Sequence, residues 1–263
     1  MKIQERPKIT ALLITYNEIV HIQQVLENLA FADEIIVVDS YSTDGTVEVI
    51  QTFKNIKLVQ KDFNNFTEQR NFALSLATNP WIFFMDADER IPQVLRDEIL
   101  NTVSSSNASA AYYIKRKIFF NGKQLRFGGR QTDKIHRLFQ KDKAHYRKDL
   151  LVHEKLEVTG ETGVLKNYLN HFPYNNFAHY EAKRKHYAML KAKELFNKNT
   201  KPKLFHFYIK PPFSFFQHYI LKLGLFDGYP GLVLSYLNAK YVYKRYIYLN
   251  KFYAANSIET NFN

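Results

Sequence analysis

The sequence predicts an α/β protein, with a doubly wound sheet in the first part of the chain and a basic, aromatic helical extension at its C-terminal end. Strand and helix patterns alternate over residues 9–90, which is typical of a doubly wound sheet. The strand candidates are short apolar runs without a helical period, as expected for strands buried on both faces. Three of these runs end in polar clusters. With 263 residues, the chain is long enough to bury a substantial core.

The first element is the apolar run at residues 9–14, which is predicted to be a buried strand. Residues 17–30 space their apolar side chains as an amphipathic helix does. The rest of this alternation consists of strands at 34–38, 56–59 and 81–85 and of helices at 44–50 and 67–77. Thr67 is placed to cap the last of these helices. Because the crossovers of such a sheet are right-handed, ligands are expected outside the carboxyl ends of its strands.

The later elements are predicted from the same patterns. A helix follows Pro92 as far as residue 103, and strands are expected at 110–120 and 134–139. A basic helical stretch covers residues 174–198 and is broken by prolines at 202, 211 and 212. A final aromatic helix at 232–253 is expected to supply core or subunit contacts.

The charge of the chain is divided unevenly along its length. The net charge is +12, but residues 1–100 carry 9 basic and 15 acidic residues, whereas residues 101–263 carry 28 and 10. The basic part predicts an anionic partner. The chain has no cysteine, which excludes disulfides, thiolate-bound metals and thiol catalysis. No signal peptide and no apolar run of roughly 20 residues is recognised, so we expect a cytoplasmic protein.

The most informative cluster is Asp86-Ala87-Asp88, directly after the strand at 81–85. Two carboxylates at a strand end can enter one crevice, where one meets a ribose hydroxyl and the other a divalent cation that bridges a diphosphate. Mg²⁺ or Mn²⁺ takes oxygen ligands and needs only one or two carboxylates from the protein. The alternative is a solvated turn in which Glu89 begins the next helix.

A second cluster begins at Asp39, where the second strand ends. Its carboxylate can accept from a base N–H or a ribose hydroxyl, while Ser42 and Thr43 are interpreted as capping groups of the next helix. Arg70, near the N-terminus of the third helix, can meet a phosphate, and the alternative is an exposed polar face. The sequence has no glycine-rich loop of the dinucleotide or P-loop type, which disfavours those cofactor modes.

Together these motifs resemble the family-2 glycosyltransferases of the GT-A fold, a Rossmann-like mixed sheet. The motifs, in the family's order, are Ile14-Thr15-Tyr16-Asn17-Glu18, residues 35–40 with 42–46, Gln69-Arg70-Asn71-Phe72-Ala73 and Asp86-Ala87-Asp88-Glu89-Arg90. The later part of the chain resembles the lipopolysaccharide core β-glucosyltransferases at 134–139, 151–154 and 221–231. Tyr41 departs from the pattern, because the family commonly has glycine there and only glycine adopts a positive φ freely.

The resemblance implies an inverting transfer of a hexose, typically glucose from UDP, onto a lipid-linked or lipopolysaccharide-core saccharide. Contacts to the nucleotide sugar are implied for Thr15, Tyr16, Glu18, Asp39, Arg70, Asn71 and Asp86. Asp88 would bind Mg²⁺ or Mn²⁺ across the donor diphosphate. Residues 1–172 would form the catalytic domain, with a nucleotide-sugar half at 1–90 and an acceptor half at 91–172. Residues 173–263 would form the helical extension.

Inverting transfer needs a general base to deprotonate the acceptor hydroxyl. Glu154 is the first candidate, with His153 as metal ligand or orienting group, and Asp149 is the second. For His153, the equal alternative is a hydrogen-bonded core histidine. His171 can complete the site, although a structural role is favoured. Phosphate or acceptor contacts are expected for Arg126, Arg130 and Arg137, against the alternative of a solvated sheet face.

The lysines of residues 180–203, with the aromatic residues at 211–216, predict contact with an anionic membrane surface at the inner face of the cytoplasmic membrane. The alternative is a solvated basic helix, and a homodimer contact is a further expectation. Two other functions are compatible with parts of the sequence: a basic nucleic-acid-binding protein and a non-catalytic nucleotide-sugar binder. The acidic strand ends argue against the first, and the intact Asp86-Ala87-Asp88 triplet argues against the second.

Overall fold

The structure is a computed structural model that describes residues 6–120, 122–130, 133–147, 155–173 and 177–259. The chain forms two compact units. The first unit comprises Met1–Lys117 and Lys134–His171, and the second comprises Ile118–Asp133 and Phe172–Asn263. The domain roles predicted on either side of residue 172 stay predictions. The compact units add that residues 118–133 group with the C-terminal part of the chain.

The strands and helices follow one another along the chain with these bounds. The part up to residue 90 contains β1 Ile9–Thr15, α1 Ile22–Leu29, β2 Glu34–Asp39, α2 Thr46–Gln51, β3 Ile56–Gln60, α3 Phe66–Leu76, β4 Trp81–Asp86 and β5 Glu89–Arg90. Next come α4 Gln93–Val103, β6 Ala111–Phe120, β7 Lys123–Leu125, β8 Lys134–Gln140, β9 Ala144–Tyr146, β10 Leu156–Val158 and β11 Thr162–His171. The C-terminal helices are α5 Phe177–Asn197, α6 Leu204–Tyr208, α7 Lys210–Phe216 and α8 Tyr229–Glu259.

The main sheet is mixed, which confirms the predicted fold class. Its strand order is β3-β2-β1-β4-β8-β6-β11-β5, with β7 paired to the end of β6. The strands β3, β2, β1 and β4 are parallel neighbours. β8 pairs antiparallel with both β4 and β6, and β5 pairs antiparallel with β11. The parallel half therefore places the carboxyl ends of β1, β2 and β4 at one edge.

Apolar layers cover both faces of the parallel strands, which explains their continuous hydrophobic runs. One layer contains Ile22 and Leu26 of α1, together with residues of α2 and α4. The other layer contains Ala73 and Leu74 of α3, with Tyr146 of β9. The helices therefore pack on opposite faces of the sheet, and the polar strand ends lie at its edge.

Several helix starts and caps differ from the prediction. α1 begins at Ile22 rather than residue 17, because residues before it form a loop. Asn65, not Thr67, caps α3: its side-chain oxygen accepts from the Glu68 N–H at 2.8 Å, while Thr67 lies buried in the first turn. Pro211 and Pro212 begin α7 instead of ending a helix, since proline is tolerated in the first helical turn.

The second unit is held by packing of α5 against α8. Ala192 of α5 packs with Tyr246 and Leu249 of α8 in one buried cluster, which agrees with the core role expected for the final helix. Asp227 is buried and accepts from the backbone N–H groups of Arg126 and Phe127 at 2.9 and 3.0 Å. No helix in the described part of the chain is long and apolar enough to cross a membrane.

Gly231 is required for close backbone approach in the second unit. A Cβ atom there would lie 1.9 Å from the Gly224 carbonyl oxygen, whereas a Cβ at Gly122 would meet no atom within 4 Å. We expect Gly231→Ala to lower the free energy of unfolding by about 3 kcal/mol or more, because backbone cannot yield as a side chain can. Gly122→Ala should lower the free energy of unfolding by only about 1 kcal/mol, because alanine is strained in the left-handed backbone conformation of Gly122. Urea unfolding of both variants measures this, and equal losses would contradict the steric account.

Candidate active site

The ends of three adjacent strands bring Asp39, Thr15 and Asp86 together. Thr15 at the end of β1 is the ladder partner of Asp39 at the end of β2. Its neighbour Ile14 is the ladder partner of Asp86 at the end of β4. The predicted meeting of two carboxylates at the carboxyl edge of the sheet is therefore a consequence of the parallel register. Thr15 is buried, and its Oγ1 atom has no hydrogen-bond partner among the described residues.

Asp39 is fully buried and anchored by its own loop. Its carboxylate accepts from the backbone N–H of Ser42 at 2.9 Å, from the Ser42 hydroxyl and from Gln60 Nε2 at 3.3 Å. Carboxylate oxygens offer about four acceptor positions, so Asp39 retains capacity for one more donor. The predicted use of Ser42 as a helix cap is wrong, because its hydroxyl is engaged by Asp39.

The loops after β1 and β2 are fastened to each other by side-chain-to-backbone bonds. Ser42 Oγ accepts from the Asn17 N–H, and Asn17 Oδ1 accepts from the Thr43 N–H, both at 2.8 Å. The capping role predicted for Thr43 is also wrong: the residue before α2 is Gly45. Tyr41 has φ +58°, so this position does require the left-handed backbone that glycine adopts without strain. The loop that bears Tyr41 is therefore held by its neighbours.

Asp86 lies in a network of buried charges. Arg70 Nη2 donates to Asp86 Oδ1 at 2.8 Å, and Arg137 Nη2 donates to Asp86 Oδ2 and, at 2.7 Å, to Glu89 Oε1. Arg116 adds a pair with Glu89 at 3.3 Å. Both Arg137 and Glu89 are fully buried. The alternatives of a helix-starting Glu89 and of a solvated Arg137 are thus wrong: Glu89 begins the short strand β5, and Arg137 projects into the interior.

The network fixes Asp86 in its ionised form. Burial alone would raise the pKa of Asp86, but the charges of Arg137 and Arg70 outweigh it and hold that pKa well below its usual range. Burial would lower the pKa of Arg137, but Asp86 and Glu89 raise it above its ordinary value. The Nε and Nη1 groups of Arg137 are buried and have no acceptor among the described residues.

Arg70 and Asn71 connect α3 to the rest of the site. The Arg70 guanidinium lies over the Phe84 ring, 4.5 Å from its centroid, and 5.6 Å from the centroid of Tyr146. The Asn71 amide donates to the Tyr146 carbonyl at 2.8 Å and accepts from its N–H at 3.0 Å. The nucleotide contacts of both residues stay predictions, and what the structure adds is that Arg70 orients Asp86.

Asp88 is paired with His171. The Nε2 atom of His171 lies 3.3 Å from Asp88 Oδ2, and His171 is the ladder partner of Glu89 in the β11–β5 pair. The Nδ1 atom of His171 is buried and has no hydrogen-bond partner among the described residues. In the described part of the chain, no group of three or more His, Asp or Glu side chains is arranged to hold a metal ion. The Asp88–His171 pair therefore links the turn after β4 to β11.

Arg90 borders this pair on the side of α1. It donates from Nη1 to the Ala87 carbonyl at 2.8 Å and from Nη2 to Gln24 Oε1 at 3.0 Å. Burial lowers the pKa of Arg90, and the nearby charges of Asp88 and Glu18 oppose that effect. The side chain of Glu18 thus belongs to the same charged cluster as Asp88. Tyr16, between Thr15 and this cluster in the chain, is 59% exposed.

Five other predicted residues lie elsewhere or outside the described residues. Asp149, His153 and Glu154 fall in the undescribed residues 148–154, so the base assignment stays a prediction. Arg126 and Arg130 belong to the second unit, where Arg130 Nη1 donates to the Phe127 carbonyl at 3.1 Å. Their contacts with phosphate or acceptor stay predictions too.

Sequence reasoning missed the roles of Glu89, Arg116 and Arg90 in this network. A partial signal is that Arg137 directly precedes the apolar pair Leu138-Phe139 in a predicted strand, so a carboxylate is expected near it if that strand is buried. Glu89 is the next acidic residue after the Asp86-Ala87-Asp88 cluster. Which way its side chain points cannot be inferred from the sequence, because β5 is too short to show an alternating pattern.

Comparisons with known proteins agree with this geometry. The family model "Glycosyl transferase family 2" matches residues 10–157, which include all of the parallel strands and the Asp88 cluster. The chain belongs to glycosyltransferase family 2. It is therefore a glycosyltransferase, and the alternatives of a nucleic-acid-binding protein and of a non-catalytic binder are disfavoured.

The relatives extend over nearly the whole chain. The lipopolysaccharide core biosynthesis glycosyltransferase LpsC of Rhizobium meliloti (strain 1021) is 26% identical over 250 residues, covering 90% of this chain and 93% of LpsC. An uncharacterized glycosyltransferase of Rickettsia felis is 29% identical over 255 residues, covering 93% of this chain and 89% of the relative. The mannosyltransferase PcManGT from Pyrobaculum calidifontis, solved with GDP-Man and Mn²⁺, has a TM-score of 0.50 at 19% identity, covering 90% and 74% of the two chains. This similarity confirms the GT-A fold of the glycosyltransferase.

The buried network predicts a pH-dependent cost of removing Arg137. We expect Arg137→Met to lower the free energy of unfolding by about 3–5 kcal/mol at pH 7, because buried carboxylates lose their counter-charge. The depressed pKa of Asp86 gives stability that is present above its ordinary value of 3.8 and is lost as pH falls through the lower folded value. The Arg137→Met variant lacks much of this pH-dependent stability. The difference in unfolding free energy between parent and variant should therefore shrink between pH 7 and pH 3. Urea unfolding at both pH values measures the difference.

Arg6 supplies the matched control, because it forms a partly exposed pair with Asp33 at 2.8 Å. Arg6→Met should cost less than about 1 kcal/mol. A deficit for Arg137→Met that is equally small, or that grows as the pH falls, would contradict the assigned role of the network.

Proposed function

We propose that this glycosyltransferase transfers glucose from UDP-glucose to a saccharide of a lipid-linked acceptor of the lipopolysaccharide-core type, with inversion at the anomeric carbon. The observation that carries the proposal is the convergence of Asp39, Thr15, Asp86 and the Asp88–His171 pair at the carboxyl edge of the sheet. The similarity to LpsC supports the acceptor class.

The donor nucleotide would lie across the ends of β2, β1 and β4. Asp39 has remaining acceptor capacity for a base N–H or a ribose hydroxyl, and the unpartnered Thr15 Oγ1 lies beside it in the register. Asp86 is ionised and oriented by two arginines, so it can accept from the ribose without moving. Tyr16 is exposed and can supply an aromatic face to the base.

A divalent cation fits the Asp88–His171 pair. Mg²⁺ and Mn²⁺ are held by one or two carboxylates plus phosphate oxygens, and a neutral imidazole can complete such a set. The direction of His171 Nε2 toward Asp88 Oδ2 supports this use of the histidine. The cation, when bound, would stabilise the negative charge that develops on the leaving nucleoside diphosphate. Arg90 would hold the turn that carries Asp88 in place.

Inversion requires one displacement. The acceptor oxygen forms a bond to the anomeric carbon, the bond from that carbon to the diphosphate oxygen breaks, and the acceptor proton passes to a base. We propose Glu154 as this base, His153 as an orienting group or metal ligand and Asp149 as the alternative base. For Arg126 and Arg130 we propose contact with phosphate or acceptor. For Arg137 we propose only that it orients Asp86.

The lipid-linked acceptor also sets where the enzyme works. Such an acceptor is confined to a membrane, so we propose that the protein acts at the inner face of the cytoplasmic membrane without spanning it. The basic charge of residues 101–263 supports an encounter with anionic headgroups.

The role of Asp88 can be tested by substitution. We expect Asp88→Asn to lower the rate of transfer by on the order of 10³-fold, because the charge that holds the cation is lost. UDP with Mn²⁺ should raise the melting temperature of the parent protein but not of the variant, whereas other nucleoside diphosphates should raise neither. Asp97→Asn, on the exposed face of α4, is the control and should behave as the parent. Full transfer activity in Asp88→Asn would refute the proposed metal role.

The base assignment has a separate test. Glu154→Gln should reduce the transfer rate by about 10²- to 10⁴-fold, as expected for loss of a general base. The melting-temperature shift caused by UDP and Mn²⁺ should be unchanged, because the base contacts the acceptor rather than the nucleotide. Asp149→Asn is the comparison variant. If it abolishes transfer while Glu154→Gln stays active, Asp149 is the base.

A further inference from the structure

We infer that residues 204–232 of the second unit form a docking surface for an anionic lipid membrane. The inference extends the proposed function, whose acceptor is lipid-linked, by naming the segment that meets the bilayer. It starts from exposure: thirteen large apolar side chains between residues 204 and 232 are exposed, including Leu204 at 75% and Tyr208 at 71%. Contiguous apolar exposure of this kind marks an interaction surface rather than ordinary scatter.

The helix α7 exposes its large apolar side chains and buries small ones, which is the reverse of an ordinary amphipathic helix. Its buried residues are Pro211 and Ser214, which are small, whereas Phe213 and Phe216 are exposed by 56% and 47%. Residues 217–221 continue the helix in wider turns, and Ile220, also exposed, falls four positions after Phe216. The spacing of three, then four, positions places these three side chains on one face. That face has large apolar groups that do not contribute to the core.

Exposed apolar side chains continue after this face in the chain. Leu221, Leu223, Leu225 and Phe226 are all exposed, with Lys222 and Gly224 between them. On the other side of α7, Ile209 joins α6 to α7 and is 54% exposed. Aliphatic and aromatic side chains are therefore mixed along the whole segment, as in helices that lie in a membrane interface.

The charge of the segment selects an anionic partner. Residues 195–226 contain five lysines and no acidic residue, and of these lysines Lys198 is paired with Glu194 at 2.8 Å. Lys201 and Lys203 are exposed at the start of α6. Asp227, the next acidic residue, is buried and committed to backbone N–H groups. Burial and the nearby charges of Lys210, Lys203 and Arg245 lower the pKa of His206, which is further evidence of a positive potential here.

This charge distribution disfavours the other occupants. In a two-fold contact with a second copy, the same lysines would face one another across the interface. A nucleic acid is also disfavoured, because residues 195–226 contain no arginine and expose leucine and isoleucine among their aromatic side chains. Lysine instead suits a bilayer, because its apolar stem can lie along the acyl boundary while its ammonium group reaches the headgroups.

The test is flotation with vesicles of phosphatidylglycerol and phosphatidylethanolamine (3:7) and, in parallel, of phosphatidylcholine alone, using the full chain without donor or acceptor. The parent protein should bind the anionic vesicles and not the neutral ones. Phe213→Ser with Phe216→Ser should weaken binding by on the order of tenfold. Lys201→Gln with Lys203→Gln should weaken it by about fivefold per lysine, as expected for charges near an anionic surface.

Matched controls exist in the first unit. Phe63 and Phe66 are also two phenylalanines three positions apart, exposed by 46% and 42%. Phe63→Ser with Phe66→Ser should leave vesicle binding unchanged, as should Lys54→Gln with Lys57→Gln. Circular dichroism and melting temperature establish that each variant is folded, and the replaced side chains are too exposed to be required for the core.

The outcomes separate this inference from the proposed function. Vesicle binding by the parent that is lost in the Phe213/Phe216 variant, with its UDP-dependent melting shift retained, supports the docking surface. Absent binding by the parent overturns it and leaves the proposed transferase activity intact. Binding without any UDP-dependent shift supports the surface and contradicts the donor assignment. Tighter binding to a 30-nucleotide RNA than to vesicles, or a dimer that dissociates in the Phe213/Phe216 variant, also overturns the docking surface.

Discussion

The charged network around Arg137 is the interaction on which the arrangement of the candidate active site depends. Its guanidinium is fully buried and bridges Asp86, at the end of β4, with Glu89, in β5. Burying a guanidinium is costly unless carboxylates compensate it, and here two carboxylates do. The turn between β4 and β5 is therefore fixed at both ends, and Asp88 lies in this turn with its carboxylate beside His171.

This arrangement gives two aspartates, two positions apart in the chain, different chemical environments. Asp86 is held by guanidinium groups on both oxygens and is kept ionised. Asp88 faces the imidazole of His171. The positive charge of Arg70 and Arg137 offsets the local carboxylates, so the diphosphate of the proposed donor would not meet an uncompensated acidic crevice. The separate roles proposed for the two aspartates rest on these partners rather than on their spacing.

The sequence predicts the positions of Asp39, Asp86 and Asp88 well, for a physical reason. Parallel strands have continuous apolar runs and common carboxyl ends, so a polar residue that ends a run must lie at that edge. The partners of these residues could not be predicted in the same way. Arg137 is distant in sequence, and its burial depends on the antiparallel addition of β8 to β4. Ser42 and Thr43 have the composition of helix caps, but the Ser42 hydroxyl donates to Asp39, the Thr43 backbone N–H donates to Asn17, and Gly45 precedes α2.

The charged residues of the two parts of the chain differ in whether they are paired within the fold. Arg70, Arg116 and Arg137 of the first unit are each paired with buried or half-buried carboxylates, so these charges are neutralised within the fold. Among the lysines of residues 195–226, Lys198 pairs with Glu194 at 2.8 Å, whereas Lys201 and Lys203 are exposed beside α6. The net charge of +12 therefore does not describe a uniformly basic protein. The arginines of the candidate site are balanced within the fold, whereas the exposed lysines beside α6 lie close in the chain to exposed apolar side chains, where their charge can act on an anionic partner.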